Sequence, residues 1–119
     1  MTNKLRVAVI GVGYLGRFHA LIYSRMPDVE LVGVVDPDLE RARSVGAEAG
    51  CAGFADAAEL LERVDAVSVV APTTVHLDVA SPFLRRGVHM MLEKPIAATR
   101  EEGEEIVRLA EQSGAILQI

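Results

Sequence analysis

The sequence has few aromatic residues, no tryptophan and a single cysteine. Aromatic residues make up 4% of the 119 positions, which leaves few rings on which nucleobases can stack. The formal net charge of −5 also argues against a nucleic-acid partner, because phosphate backbones bind basic surfaces. Cys51 cannot form an internal disulfide, and no cluster of cysteine and histidine has the spacing of a metal site. We therefore expect a cytoplasmic protein with no metal centre and no nucleic-acid partner.

Long hydrophobic runs are missing as well. No apolar stretch approaches the roughly 20 residues that a membrane span needs. The few residues before the first apolar run leave no room for a signal peptide. Repeats and low-complexity tracts are absent too. Because 50% of the chain is apolar, residues 1–119 are expected to bury a core as one domain without a membrane partner.

A glycine motif follows the first apolar run, Leu5–Ile10. Gly11, Gly13 and Gly16 have the spacing G-x-G-x-x-G, between a predicted strand and a predicted helix. Gly11 allows a sharp turn, Gly13 leaves room for a pyrophosphate, and Gly16 lets the helix pack close to the strand. The alternative is a tight turn without a ligand.

The helix after this motif is predicted to be amphipathic. The apolar and histidine residues at helical spacing, which we expect to form its buried face, are Leu15, Phe18, His19, Ile22 and Met26. In its first turn, the N–H groups of Tyr14 and Leu15 have no partner within the helix, so they are expected to face the phosphates.

An acidic residue ends the second predicted strand. Asp36 lies about 20 residues beyond the last glycine of the motif, where an acid that binds the ribose hydroxyls is expected. Its carboxylate would repel a 2′-phosphate, so we predict NAD over NADP, with Arg41 on the next helix as the reason NADP stays possible. Asp36 is also suited to cap the helix that follows Pro37.

Strands and helices alternate along the rest of the chain. The pattern predicts an α/β fold with a Rossmann-type, doubly wound parallel sheet of about six strands and helices on both faces. Ligands of such sheets bind at the carboxyl ends of the strands. That rule selects four stretches: Gly11–Gly16, Asp36, Ala71–His76 and Glu93–Pro95.

With these residues laid out, the sequence resembles the glucose-fructose oxidoreductase/inositol dehydrogenase/MocA family. Besides the glycine motif and Asp36, two stretches support the resemblance. They are the Ala71-Pro72-Thr73-Thr74-Val75-His76 loop and the Glu93-Lys94-Pro95 strand end. The latter is the more specific to the family. Where Thr74 stands, the family often has Asn.

The resemblance implies roles for both stretches. Ala71, Pro72, Thr73, Thr74 and His76 are assigned to the nicotinamide half of the cofactor. Unliganded alternatives stay open: His76 on a helix surface or first turn, and Lys94 as a solvated partner of Glu93.

The Glu93-Lys94-Pro95 turn is expected to face the reaction. Lys94 is the predicted catalytic residue, reaching the nicotinamide and the reacting hydroxyl. Glu93 either accepts a hydrogen bond from the cofactor or orients Lys94, and Pro95 fixes the chain direction, with a cis peptide as one option.

Family members continue into a second α/β domain that binds the substrate and supplies a histidine. This second domain is not present in this chain. The resemblance therefore implies the cofactor domain of a dehydrogenase that transfers hydride between NAD(P) and a secondary alcohol of a sugar, cyclitol or sugar nucleotide. The full-length form is expected to be a homo-oligomer. A stand-alone, non-catalytic NAD(H)-binding or redox-sensing module is the alternative. An S-adenosylmethionine-binding domain is disfavoured by the complete glycine motif.

Overall fold

A parallel sheet of six strands organises the computed structural model, which describes residues 4–119. The strand order is β3-β2-β1-β4-β5-β6, and all neighbouring strands are parallel. The strands are β1 (Leu5–Ile10), β2 (Val29–Val35), β3 (Ala52–Phe54), β4 (Ala66–Val69), β5 (His89–Leu92) and β6 (Leu117–Gln118). This order confirms the predicted doubly wound sheet, with its switch point between β1 and β4.

Four α-helices cover the sheet. They are α1 (Tyr14–Ser24), α2 (Leu39–Ala49), α3 (His76–Arg85) and α4 (Arg100–Ser113). α1 and α2 pack on one face, and α3 and α4 pack on the other. Alternate residues of β1 therefore enter different cores, with Val9 facing α1 and Ile10 facing α3. Within residues 4–119, no helix combines the length and the apolar character required to cross a membrane.

Helix ends match local sequence signals. The side chain of Asp38 accepts a hydrogen bond from the Arg41 N–H at the start of α2, and Thr99 does the same for Glu102 in α4. Asp38 therefore has the capping role for which the sequence also suited Asp36, and the Asp36 carboxylate bonds other partners. Gly114, with φ of 77°, ends α4 in the left-handed conformation that glycine favours.

Two helical segments of the structure contain 3-10 turns. The sequence pattern predicts a short helix after Asp56, where the structure has a 3-10 turn over Ala57–Leu60. The pattern also predicts a helix from about Val75, whereas α3 begins at His76 and is preceded by a 3-10 turn over Thr73–Val75. Pro82 lies inside α3.

The predicted buried face of α1 is wrong. Its large apolar side chains are substantially exposed, with Ile22 at 58% and Leu15 at 49%, whereas Gly16 and Ala20 are buried. The reason is steric, because a Cβ on Gly16 would lie 1.7 Å from the Gly11 carbonyl oxygen. The helix is so close to the β1 turn that only its small-residue side fits there, and the large residues are displaced to its flank.

Burial differences give a stability prediction. Phe83 is 1% exposed and lies in the core under α3 and α4, so Phe83→Ala should lower the free energy of unfolding by about 3–5 kcal/mol. Ile22→Ala should change it by about 0.5 kcal/mol or less, because the side chain is largely solvated. Urea unfolding of both variants measures the difference. Equal losses would show that the exposed side of α1 is covered in solution.

Candidate active site

The turn after β1 is held by close backbone contacts. Gly11 has φ of +91°, and a Cβ built there would lie 2.7 Å from the Ala71 nitrogen. The turn therefore abuts the carboxyl end of β4, and both the conformation and the contact require glycine. Gly16 makes the equivalent contact from the helix side. These contacts fit the roles that the motif predicted for Gly11 and Gly16.

Gly13 is different, because a Cβ there would meet nothing within 4 Å. This open space agrees with the prediction that a pyrophosphate approaches the backbone at Gly13. Gly13 is also the N-cap of α1 and provides no side-chain hydrogen bond to that helix end. The backbone N–H groups at the start of α1, at Tyr14 and Leu15, are therefore open to an acceptor from outside the helix. An anion suits this position because the helix dipole is positive there.

The Asp36 carboxylate is buried beside this turn. Its side chain is 7% exposed, with Oδ2 accepting from the Val12 N–H at 3.1 Å and Oδ1 from the Asp38 N–H at 2.9 Å. The first of these bonds joins the β2 end to the glycine turn, which sequence spacing did not anticipate. A carboxylate has about four lone-pair sites, so two remain for ribose hydroxyls.

A guanidinium lies next to the same carboxylate. Arg41 Nη1 is 3.7 Å from Asp36 Oδ2, and the Arg41 side chain is 53% exposed. One positive charge therefore borders the position where a 2′-phosphate would meet Asp36. The two charges act in opposite directions on a 2′-phosphate. The Asp36 carboxylate repels it and favours NAD, whereas the Arg41 guanidinium reduces the repulsion of NADP.

The loop after β4 is braced by His76. The imidazole is 1% exposed, with Nε2 2.8 Å from the Ala71 carbonyl oxygen and Nδ1 3.0 Å from the Ile96 carbonyl oxygen. Each ring nitrogen faces a backbone carbonyl oxygen, and His76 is also a lining residue of the cleft, so its direct contact with the nicotinamide half stays a prediction. The burial of the ring rules out the alternative of a surface histidine.

The end of β5 presents the predicted catalytic lysine. The Glu93 N–H donates to the Val69 carbonyl oxygen at 3.0 Å, which fixes this end against β4. Lys94 is exposed, and within residues 4–119 its amine forms no ion pair. The alternative in which Lys94 pairs with Glu93 is therefore not seen in the structure. The Lys94–Pro95 peptide bond is cis.

These strand ends surround one cleft of about 870 Å³. The predicted site residues that line it are Gly11, Gly13, Asp36, Ala71, Pro72, Thr73, His76, Glu93 and Lys94. The glycine turn and the lysine thus share one cavity at the carboxyl edge of the sheet. Five predicted residues are not among its lining residues: Tyr14, Leu15, Gly16, Thr74 and Pro95.

Part of the cleft wall was missed by the sequence analysis. Ala55–Ala58 and Leu61, which follow β3, form one side, and Val79 and Pro82 of α3 lie on another. The strand-end rule that selected the other stretches applies equally to the end of β3. Extending it to this short edge strand would have identified the segment.

Cys51 does not belong to this chemistry. It lies outside the cleft lining, and burial raises the pKa of its thiol to about 11. The thiol is therefore protonated at neutral pH and is a poor nucleophile. Cys51 instead packs as a small, partly buried apolar residue.

Comparison with known proteins identifies the family. Residues 5–119 match the model of the Gfo/Idh/MocA oxidoreductase family, described as an NAD-binding Rossmann fold. The chain belongs to this family. The resemblance drawn from the glycine motif and the Glu93-Lys94-Pro95 turn is confirmed.

Several relatives are similar over nearly the whole chain. UDP-N-acetylglucosamine 3-dehydrogenase of Acidithiobacillus ferrooxidans is 43% identical over 97% of the chain and 36% of the relative. Its crystal structure aligns with a TM-score of 0.92 over 98% of this chain and 38% of that one. The NAD(+)-dependent scyllo-inositol 2-dehydrogenase of Bacillus subtilis is 34% identical over 100% of the chain and 36% of the relative.

A solved complex also has this fold. The WlbA dehydrogenase of Bordetella pertussis, in complex with NADH and UDP-GlcNAcA, aligns with a TM-score of 0.86. Its sequence is 26% identical, and the match covers 97% of this chain and 36% of that one. The chain therefore spans about a third of the length of the relatives that it matches, and that third is the NAD-binding Rossmann domain.

Two glycines of the motif should respond differently to the same substitution. Gly16→Ala forces a Cβ into the Gly11 carbonyl, so it should destabilise the fold by about 1–3 kcal/mol or more. Gly13→Ala should leave the melting temperature unchanged but weaken NADH binding at least about tenfold, because its Cβ fills the cradle. Thermal melts and NADH fluorescence titration measure both. Unchanged NADH affinity in Gly13→Ala would contradict this placement of the pyrophosphate.

The carboxylate and the guanidinium should set the choice of cofactor. We expect the chain to bind NADH more tightly than NADPH. Asp36→Ser should lower the ratio of the NADPH Kd to the NADH Kd by about tenfold, and Arg41→Ala should raise that ratio by about tenfold. Calorimetric titration with both nucleotides provides the ratio. Arg43→Ala is the matched control, since Arg43 is exposed on the same helix and is not a lining residue of the cleft. Tighter binding of NADPH by the unaltered chain would refute this expectation.

Proposed function

We propose that this chain, residues 1–119, is the cofactor-binding domain of an NAD-dependent dehydrogenase acting on a secondary alcohol of a sugar, cyclitol or sugar nucleotide. One observation carries the proposal: Lys94 lines the same cleft as Gly13 and Asp36. A nucleotide-binding turn alone needs no lysine at the far end of the cavity. An ammonium there is suited to stabilise the negative charge that develops on an alcohol oxygen during its oxidation.

The cleft divides into regions suited to the parts of NAD. Asp36 and the apolar segment after β3 suit the adenosine, and Gly13 with the start of α1 suits the pyrophosphate. The nicotinamide half then falls to Ala71, Pro72, Thr73 and Thr74, with Glu93 and Pro95 on the β5 side. His76 supports this region through the Ala71 and Ile96 carbonyl oxygens and does not contact the cofactor itself.

In this arrangement the chain orients the reactants and stabilises charge. NAD, when bound, supplies the acceptor for the hydride that leaves the alcohol carbon. The Lys94 ammonium stabilises the negative charge that develops on the substrate oxygen as its proton leaves. Glu93 either orients that ammonium or accepts a hydrogen bond from the cofactor. The group that receives the hydroxyl proton would belong to a substrate domain outside this chain.

Relatives support the substrate class. The names of the relatives cover a sugar nucleotide, a cyclitol and a glucoside, all of which present secondary hydroxyls. Because the chain covers about a third of these relatives, the substrate contacts and a homo-oligomeric assembly would come from further chain. The single cysteine supports a cytoplasmic location.

Replacing the lysine tests the proposed function. In the full-length dehydrogenase, Lys94→Ala should lower kcat by about 100-fold or more, while the Kd for NADH stays within about threefold. Lys94 is at the rim of the cleft and its loss removes charge stabilisation rather than the nucleotide cradle. Arg85→Ala, an exposed change at the end of α3, is the control. Steady-state turnover and NADH fluorescence provide the two measurements.

The outcomes separate the proposal from its alternative. Normal turnover in Lys94→Ala would overturn the role of the lysine. If the reading frame ends at Ile119 and the protein binds NADH and a protein partner without oxidising any alcohol, a stand-alone sensing module is the function.

A further inference from the structure

We infer that His76 is a positioning residue that sets the nicotinamide end of the cleft by holding two strand-end segments together. The inference rests on the proposed function, because it takes the nicotinamide half to lie between the β4 loop and the β5 end. It differs from a role in which the histidine touches the cofactor.

The two partners of the ring belong to different segments. Ala71 follows β4 and begins the Pro72–Thr74 loop, whereas Ile96 lies two residues after Lys94. Both are backbone carbonyl oxygens, so the bonds fix main-chain positions and not flexible side chains. Through these bonds the separation between the threonine loop and the lysine is set by one rigid ring.

Burial makes this brace strong. The His76 side chain is 1% exposed at the first residue of α3, and buried polar groups are costly to leave without partners. Each ring nitrogen lies within hydrogen-bond distance of one of the two carbonyl oxygens, so the imidazole spans the gap between the two segments. Removing the imidazole would take this partner away from both carbonyl oxygens, and the two segments would then move independently.

The glycine turn and the ribose end do not depend on this ring. The Gly11 contact with Ala71 and the Asp36 bond to Val12 involve other atoms. Loss of the brace should therefore affect the nicotinamide end of the cleft and spare the end that holds ADP-ribose. A defect of the whole fold would weaken both ends equally.

Comparing NADH with ADP-ribose tests the inference on this chain. The unaltered protein should bind NADH more tightly than ADP-ribose. His76→Ala should weaken the binding of NADH at least about fivefold and the binding of ADP-ribose by about twofold or less. His76→Gln, whose amide can still donate hydrogen bonds, should recover part of the NADH affinity. His89→Gln is the control, because His89 also bonds a backbone group, the Ile116 N–H, but is not a lining residue of the cleft.

Each outcome has a distinct meaning. Equal loss of both ligands in His76→Ala, or no loss of NADH, would overturn the positioning role. If His76→Ala does not fold, the ratio of the NADH Kd to the ADP-ribose Kd is measured in His76→Gln instead. Equal weakening of both ligands in that variant, which leaves the ratio unchanged, would contradict the positioning role. If the unaltered chain binds NADH no better than ADP-ribose, the nicotinamide placement fails as well, which separates failure of the proposed function from failure of the inference.

Discussion

The contact between the glycine turn and its surroundings is the constraint on which the site depends. Gly11 abuts the backbone at Ala71, and Gly16 abuts Gly11 in turn. The two contacts bring the start of α1, the end of β1 and the end of β4 within van der Waals distance. Any Cβ at either position would force these segments apart, so the open approach to the Gly13 backbone depends on glycine at positions 11 and 16.

Hydrogen bonds extend this rigid centre to the other strand ends. Asp36 connects the end of β2 to the turn through the Val12 N–H, and His76 connects the end of β4 to the segment after Lys94. The cleft wall is therefore fixed by backbone bonds to buried polar side chains. A site for a long, flexible dinucleotide gains from such preorganisation, since less of the binding energy is used to order the protein.

The same close packing explains the error over α1. Apolar periodicity identified the helix correctly but placed its large residues in the core. Periodicity records which residues share a side, and it does not say which side meets the sheet. Gly16 and Ala20 meet the sheet because α1 lies so near to β1. Ile22 and Leu15 remain largely exposed on the flank of the helix.

The sequence by itself determined the class of fold and the strand ends that border the cleft. Those features are local: Gly11, Asp36 and Lys94 each follow an apolar run, and parallel strands place their ends at one edge. Only the tertiary structure placed the His76 ring between two backbone carbonyl oxygens and Arg41 against Asp36. It also decided that the segment after β3 lines the cleft. These are contacts between segments distant in sequence or rotated about a helix, and no local pattern encodes which partner a side chain meets.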